Sequence, residues 1–244
     1  MTILPRRLAF SLALGAVLLA ALAGALAVAA HFYGQVLTRA GQTTRDDPVD
    51  IFIGTDHLRL PQNMIRFEEQ RRTGVAERVD LALTWPELSG YTEALRARFQ
   101  AAGDEGRLIF LQLSQSTMSR DMSGRIDPIY TRLYEGAPWP GPAGLTAHAL
   151  KKTAGYGDDI LLTGTDVNGR PYAVRCVLLA QAQSASNADC QRDLHVGRDL
   201  TLLYRFSSQL LPHWQSIDAA LVRFVSARLI PDPAQIDVGN TLRP

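Results

Sequence analysis

The sequence predicts an α+β fold: a mainly antiparallel sheet domain, packed by a C-terminal amphipathic helix and preceded by one N-terminal transmembrane helix. Three observations predict it. Residues 8–30 form an uncharged apolar run, strand-like segments separated by turn residues follow residue 48, and an apolar stripe with helical spacing begins near Leu211. The predicted parts are a cytoplasmic N-terminus at 1–7, a transmembrane signal-anchor helix at 8–30, a juxtamembrane stalk at 31–48 and a periplasmic α+β domain at 49–244.

The apolar run from Leu8 to Ala30 is long enough to cross a bilayer, because 23 helical residues extend about 35 Å and the hydrocarbon core is about 30 Å thick. Arg6 and Arg7 precede it, so the positive-inside rule keeps the N-terminus in the cytoplasm and places the domain in the periplasm. A cleaved signal peptide is the alternative, since Ala27 and Ala29 have the small-x-small spacing of a cleavage site. The length favours an uncleaved anchor in the bacterial inner membrane, with the lipid bilayer as a partner.

The first half of the domain shows strand patterns at 49–54, 77–85 and from Arg107, with a short amphipathic helix predicted between Tyr91 and Ala102. The segment Gly136–Pro142 holds three prolines, each of which lacks a backbone N–H, so this segment is excluded from helices and central strands.

The second half carries the clearest antiparallel signal. Apolar runs at 159–164 and 171–179 flank Asn168-Gly169, a dipeptide typical of tight hairpin turns. A second strand pair is predicted at 190–196 and 200–206. The amphipathic helix at 211–229 is predicted to cover one face of the sheet and to end before Pro231.

The charges exclude strongly basic nucleic-acid binders, since 25 basic and 24 acidic side chains leave a net charge of +1. No nucleic-acid partner is therefore expected. Nothing in the sequence indicates the oligomeric state.

Cys176 and Cys190 are the only two cysteines, and the predicted topology places both in an oxidising compartment. We expect them to form a structural disulfide between neighbouring strands. The alternatives are a metal site that includes His195, which lacks a fourth ligand, and two free thiols if the chain has the opposite orientation. We predict no metal site.

No familiar catalytic motif is present: the sequence has no G-x-S-x-G, no H-E-x-x-H, no Walker loop and no dinucleotide fingerprint. Asp56 and His57 are the candidate catalytic pair, because they follow a predicted strand end at Gly54, and a distant serine such as Ser114 or Ser116 would complete a nucleophilic set. The simpler interpretation is a surface loop with ordinary polar residues. No cofactor is expected.

Two Trp-Pro pairs remain, at Trp85 and Trp139. Trp85 is interpreted as a core residue, whereas Trp139 is the candidate contact for an envelope protein partner, because exposed tryptophans are enriched at interfaces.

The function favoured by the sequence is a non-catalytic binding or envelope-assembly module, anchored in the inner membrane of a Gram-negative bacterium. The alternatives are a periplasmic hydrolase with an unfamiliar active site and an immunity protein that neutralises a toxin. The missing motifs favour a protein that is not an enzyme.

Overall fold

The structure, a computed structural model, describes residues 18–26, 41–101, 107–177 and 189–231. The chain divides into two compact units, Met1–Gly41 and Gln42–Pro244. In the first unit residues 18–26 are helical and exposed, and the rest of the predicted signal-anchor lies outside the described residues, as does most of the predicted stalk. Within the described ranges, no helix has the length and hydropathy of a membrane span.

The second unit is a mixed α+β domain built on two sheets. The smaller sheet has the strand order β2-β1-β3, in which β1 pairs antiparallel with β2 and parallel with β3. Its strands are β1 (Pro48–Ile53), β2 (Asp56–Pro61) and β3 (Gly74–Val75).

In the described part of the chain, the larger sheet has eight strands, all antiparallel, in the order β4-β5-β11-β10-β9-β8-β7-β6. Its strands are β4 (Arg78–Thr84), β5 (Leu108–Gln115), β6 (Tyr134–Pro140), β7 (Thr146–Leu150), β8 (Ile160–Thr165), β9 (Pro171–Cys176), β10 (Cys190–Val196) and β11 (Leu200–Phe206). The predicted antiparallel sheet is thereby confirmed.

Two α-helices lie in the described part of this domain, α1 (Arg96–Gln100) and α2 (Trp214–Ser226). Helix α2 confirms the predicted C-terminal helix, and a 3-10 segment at Ser208–His213 leads into it. Helix α1 is shorter than the predicted helix, because the chain before it forms a 3-10 turn in which the Thr92 hydroxyl accepts a hydrogen bond from the Leu95 backbone N–H.

The β8–β9 hairpin shows how local sequence sets the turn. Gly169 has a φ of 78°, which favours glycine, and Asp166 Oδ1 accepts hydrogen bonds from the backbone N–H groups of Asn168 and Arg170 at 2.8 and 2.9 Å. The turn therefore satisfies its own donors, and the predicted hairpin is confirmed.

The main core joins both sheets to α2. The inward residues of β1 and β2 alternate along each strand, and the helix contributes one stripe, formed by Ile217, Leu221, Phe224 and Val225. A smaller cluster lies on the other face of β7, β8 and β9, where Leu161 and Ala173 pack under Met122 and Tyr130. Strands β8 and β9 are therefore buried on both faces.

The edges of the sheets are treated differently. Along β4, the Gln70 side chain accepts a hydrogen bond from Asp80 N at 2.9 Å and donates one to the Asp80 carboxylate at 2.8 Å. Residues 228–230 follow α2 and bond to the backbone of β2. Strand β6 is the far edge of the large sheet, and its last six residues are exposed. The prediction that Gly136–Pro142 forms no central strand is confirmed, whereas its exclusion from helices fails at Pro142, which begins a 3-10 turn at Pro142–Gly144.

One local expectation is wrong. Asp56 and His57 were expected in a loop after Gly54, but they begin β2, which folds back on β1 through a tight turn. Asp56 takes an inward position in this strand, in phase with Leu58 and Leu60, and is 5% exposed.

Candidate functional site

The large sheet opens between β9 and β10, and this opening creates the candidate site. Among the described residues, the two strands pair at Cys190 with Cys176 and at Gln191 with Arg175, and the Val177 N–H donates to the Asp189 carbonyl just outside them. Beyond them the ladder stops, and the Ala173 carbonyl on β9 accepts a hydrogen bond from Arg192 Nη1 at 2.7 Å. A side chain therefore replaces the backbone donor of an antiparallel ladder.

Arg192 fills the opening and is held by an acid from the covering helix. Its Nη2 lies 2.9 Å from Oδ2 of Asp218, and its Nε lies 3.1 Å from both carboxylate oxygens. Nη1 also donates to the Ser123 hydroxyl at 2.7 Å, and the Tyr204 hydroxyl donates to Asp218. Arg192 is only 3% exposed, so burial of its charge depends on this set of bonds.

Tyr172 forms the floor beside Arg192. The guanidinium carbon of Arg192 lies 4.4 Å from the centre of the Tyr172 ring, and the Trp214 ring centre lies 4.2 Å away. The Tyr172 hydroxyl is buried without a hydrogen bond of acceptable geometry to the described residues. Burial raises the pKa of Tyr172 and of Tyr204 well above 10, so both hydroxyls stay protonated at neutral pH.

Above this floor lies a cleft of about 720 Å³, which we call the α2 cleft. Its volume is in the range of about 300 to 1,000 Å³ that is typical of small-molecule sites. One wall is a face of α2, and the others come from the end of the β8–β9 hairpin, the end of β10 and the loop at 121–124. The lining residues are Asp121, Ser123, Gly124, Asp166, Arg170, Pro171, Tyr172, Arg192, Leu194, His195, Trp214, Gln215, Asp218, Ala219, Val222 and Arg223.

The predicted disulfide is present and lies at the closed end of the opening. Cys176 and Cys190 are directly paired across β9 and β10 and are covalently joined. The bond therefore connects the two strands at the position where their ladder begins.

Among the described residues, the Asp56 carboxylate binds the backbone of a turn. It accepts hydrogen bonds from the backbone N–H groups of Arg198 at 3.0 Å and Asp199 at 2.8 Å, in the β10–β11 turn. Gly197 precedes them with a φ of 62°, and a Cβ there would lie 2.6 Å from Asp56 Oδ1. The turn thus needs both a glycine and the close carboxylate.

His57 lies on the opposite face of β2 from Asp56, because adjacent strand residues point to opposite faces. Its Nε2 lies 2.7 Å from Asp50 Oδ1, and its ring stacks on Phe52 at 4.3 Å. Hydrogen bonds from Arg59 and then His57 lower the pKa of Asp50. Asp56 and His57 are therefore not brought together as a pair, and neither lines the α2 cleft.

The serine proposed as a third member joins a different histidine. Ser116 Oγ lies 3.1 Å from His195 Nε2, and Thr201 Oγ1 donates to the same Ser116 oxygen at 3.1 Å. Ser116 has one hydroxyl proton, which goes either to His195 or to the Met118 carbonyl 3.3 Å away. The other candidate, Ser114, lies on β5.

Trp139 is 42% exposed on the edge strand β6, whereas Trp85 is 6% exposed and belongs to the main core. The interpretation of Trp85 as a core residue is confirmed. Among the described residues, no group of three or more His, Cys, Asp or Glu side chains is arranged to hold a metal ion.

Arg192 and Asp218 were not predicted from the sequence. A signal was present, because Arg192 takes the inward position of β10 in phase with Cys190, Leu194 and Val196. An arginine at a core position of a strand requires a buried partner.

No protein-family model matches the chain, and no curated protein matches it. Among solved structures, the chain is similar to the crystal structure of the Neisseria meningitidis iron-regulated outer membrane lipoprotein FrpD. The two share 11% sequence identity with a TM-score of 0.43, over 76% of this chain and 95% of that chain.

Proposed function

We propose that this protein is a non-catalytic binding module of the bacterial envelope, anchored in the inner membrane by residues 8–30 with its sheet domain in the periplasm. The compartment is supported by two arginines before the apolar run and by the Cys176–Cys190 disulfide, since structural disulfides persist in oxidising compartments.

The α2 cleft is the observation that carries the binding role. It is concave, and its floor is formed by Tyr172 and by the buried Arg192–Asp218 ion pair. Arg192 is held by hydrogen bonds to the Ala173 carbonyl and to Asp218, so the shape of the floor does not depend on a ligand. Asp56 and His57, the residues that the sequence offered for acid-base chemistry, lie elsewhere and apart. We infer that the cleft binds its ligand without reacting with it.

The test of binding uses the full-length chain purified in detergent. Thermal unfolding is measured with and without the low-molecular-mass extract of a bacterial envelope. Ligand binding raises the Tm of the wild type, because the ligand stabilises only the folded state. Ala219→Trp fills the cleft from an exposed helix position and abolishes this rise.

Ser226→Trp is the matched control, since Ser226 is exposed on the same helix but does not line the cleft. An equal rise in Tm for wild type, Ala219→Trp and Ser226→Trp would contradict binding in the cleft.

The topology has its own test. Reporters active on one side of the membrane only, fused to the C-terminus, give a periplasmic signal if the proposal is right. A cytoplasmic signal would reverse the orientation and remove the compartment argument.

A protein partner is proposed to contact Trp139. Strand β6 is an edge, and Trp139 is its exposed aromatic side chain. A photo-crosslinking residue at position 139 gives a discrete crosslinked product in cells, whereas one at Val75, which is 89% exposed, does not. The same products at both positions, or none at 139, would contradict this contact.

One observation favours the hydrolase alternative, namely the Ser116–His195 hydrogen bond. It predicts that a fluorophosphonate probe labels the full-length chain and that Ser116→Ala prevents labelling. Absence of labelling under conditions that label a serine hydrolase control argues against this alternative.

A further inference from the structure

The exposed charges of the α2 cleft are basic, whereas its acids are recessed. The Arg170 side chain is 73% exposed, and Arg223 is exposed on α2. The carboxylates of Asp166 and Asp218 are only 14% and 23% exposed. An incoming ligand therefore meets guanidinium groups before it meets carboxylates.

The recessed acids are also occupied. Asp218 accepts hydrogen bonds from Arg192 and Tyr204, and Asp166 accepts two backbone N–H groups through Oδ1. Asp121 Oδ1 accepts the Gly124 backbone N–H at 2.9 Å. Because Asp166 is also paired with Arg170, and Asp218 with Arg192, these two carboxylates have little remaining capacity to attract a cation.

The two rim arginines differ in how they are held. Asp166 Oδ2 fixes Arg170 through Nε at 2.8 Å and Nη2 at 2.7 Å, so the guanidinium has a set orientation. Arg223 makes no hydrogen bond or ion pair with its side chain among the described residues. Arg223 thus keeps all its donors available, and a guanidinium suits the planar oxygens of carboxylate and phosphate groups.

Apolar surface lies next to Arg223. Ala219 is one helical turn before it, Val222 is 39% exposed beside it, and Leu194 of β10 lines the same cleft. The cleft therefore offers an anion-binding rim together with an apolar wall.

We propose that the α2 cleft binds a small organic oxyanion: an apolar body that bears a carboxylate or phosphate group. The oxyanion binds Arg223 with support from Arg170, and the body packs on Ala219, Val222 and Leu194. Arg192 is not a ligand group, because Asp218, Ser123 and the Ala173 carbonyl hold its guanidinium. This assignment rests on the proposed binding function and deepens it.

The experiment titrates the full-length chain in detergent with three probes of similar shape, benzoate, phenyl phosphate and benzamide, followed by saturation-transfer NMR. Benzoate and phenyl phosphate bind, and benzamide, which has no charge, binds at least about tenfold more weakly. The stronger of the two anions identifies whether carboxylate or phosphate is preferred. Arg223→Gln weakens both anions about tenfold, and Arg223→Lys weakens them less.

Arg132→Gln is the matched control, since Arg132 is exposed and lies outside the cleft lining. It leaves the Kd of both anions unchanged.

The outcomes separate this inference from the proposed function. The oxyanion assignment is overturned, while binding in the cleft stands, if three results are found together. These are that benzamide binds as well as benzoate, that Arg223→Gln changes the Kd of neither compound, and that Ala219→Trp abolishes the binding of both compounds. If Ala219→Trp leaves benzoate binding unchanged, the site lies elsewhere and both are overturned. We take about 10 mM as the upper limit of the Kd for a specific fragment. If neither anion binds at this concentration, the oxyanion assignment is also overturned.

Discussion

Arg192 of β10 and Asp218 of α2 form a two-point ion pair between the large sheet and its covering helix, with Nη2 2.9 Å from Oδ2 and Nε 3.1 Å from Oδ1. The pair joins residues 26 positions apart and stands at the place where the β9–β10 ladder has stopped. It therefore replaces missing strand pairing with a contact between layers.

Removing the acid tests this replacement. Asp218→Ala leaves the Arg192 charge buried without its partner, and we expect a loss of about 3 kcal/mol in the free energy of unfolding. Urea denaturation followed by circular dichroism measures it. Asp158→Ala is the control, because Asp158 is exposed on a turn and its removal is expected to cost less than about 0.5 kcal/mol. Equal midpoints for the two variants would show that the pair does not hold the layers together.

Tyr172 and Tyr204 should respond in opposite ways to removal of the hydroxyl. Tyr204→Phe removes a hydrogen bond to Asp218 and is expected to destabilise the domain by about 1 to 2 kcal/mol. Tyr172→Phe removes a buried hydroxyl without a hydrogen bond, so it is expected to be neutral or to stabilise by up to about 1 kcal/mol. Chemical denaturation at pH 7 compares them, and a clear loss for Tyr172→Phe would contradict the assignment of its hydroxyl.

The same two tyrosines predict an alkaline limit to stability. Burial raises their pKa in the folded state above the ordinary value of 10.0. The contribution of their protonated hydroxyls to the free energy of unfolding is fully present below pH 10. It is lost as the pH rises further, because the unfolded chain then binds fewer protons than the folded one. Tm measured between pH 8 and 11, limits set about two units below and one above that pKa, should fall less steeply for Tyr172→Phe than for the wild type.

The disulfide should contribute strongly to stability, because among the described residues the strands it joins share two paired positions and one flanking backbone hydrogen bond. Its cysteines are 14 positions apart, and a loop of this size predicts a contribution of about 3 kcal/mol. Unfolding with and without reductant should differ by this amount for the wild type and not at all for the double variant Cys176→Ser, Cys190→Ser. Identical wild-type midpoints in both conditions would contradict the prediction.

Asp56 and His57 should separate in a mutational test. Asp56→Ala leaves two backbone N–H groups of the β10–β11 turn without their acceptor and is expected to cost about 2 to 3 kcal/mol. His57→Ala removes a partly exposed pair with Asp50 and is expected to cost about 1 kcal/mol or less. Thermal unfolding compares them. Similar costs for both would indicate that the turn does not depend on Asp56.

The two tryptophans at Trp-Pro pairs should also differ. Trp85→Ala removes a core ring and is expected to cost about 3 to 5 kcal/mol, whereas Trp139→Ala changes an exposed edge residue and is expected to cost less than about 1 kcal/mol. Trp139→Ala should keep the fold and lose the crosslink that a photo-crosslinking residue at a neighbouring position of β6 gives in the otherwise wild-type chain. Denaturation midpoints and crosslinking at a neighbouring position measure the two effects.

Local patterns predicted the strands whose turns and alternation are regular. The hairpin of β8 and β9 followed from Asn168-Gly169, and helix α2 followed from an apolar stripe at helical spacing. Strand β2 was missed because Asp56 occupies an inward position and broke the apolar alternation. The hydrogen-bond partners of the Asp56 carboxylate lie in the backbone of a distant turn, and Arg198 is 142 residues later in the chain.

The cleft could not be predicted from such patterns. It depends on where β9 and β10 stop pairing and on an ion pair between a strand and a helix, and neither has a local period. A polar residue in a core phase was the available clue, at Arg192 as at Asp56. Asp56 accepts hydrogen bonds from backbone N–H groups of the β10–β11 turn, and Arg192 donates hydrogen bonds to β9 and to α2. In both cases a polar side chain satisfies buried groups that would otherwise lack a partner.

The prolines of β6 affect how readily another strand can pair with this edge of the sheet. Pro138 and Pro140 carry no N–H group, so the outer edge of the eight-stranded sheet offers an interrupted row of donors to any approaching strand. The missing donors disfavour in-register pairing of another strand with this edge. Growth of an aggregate by strand addition is therefore disfavoured at the edge that carries the exposed Trp139 ring.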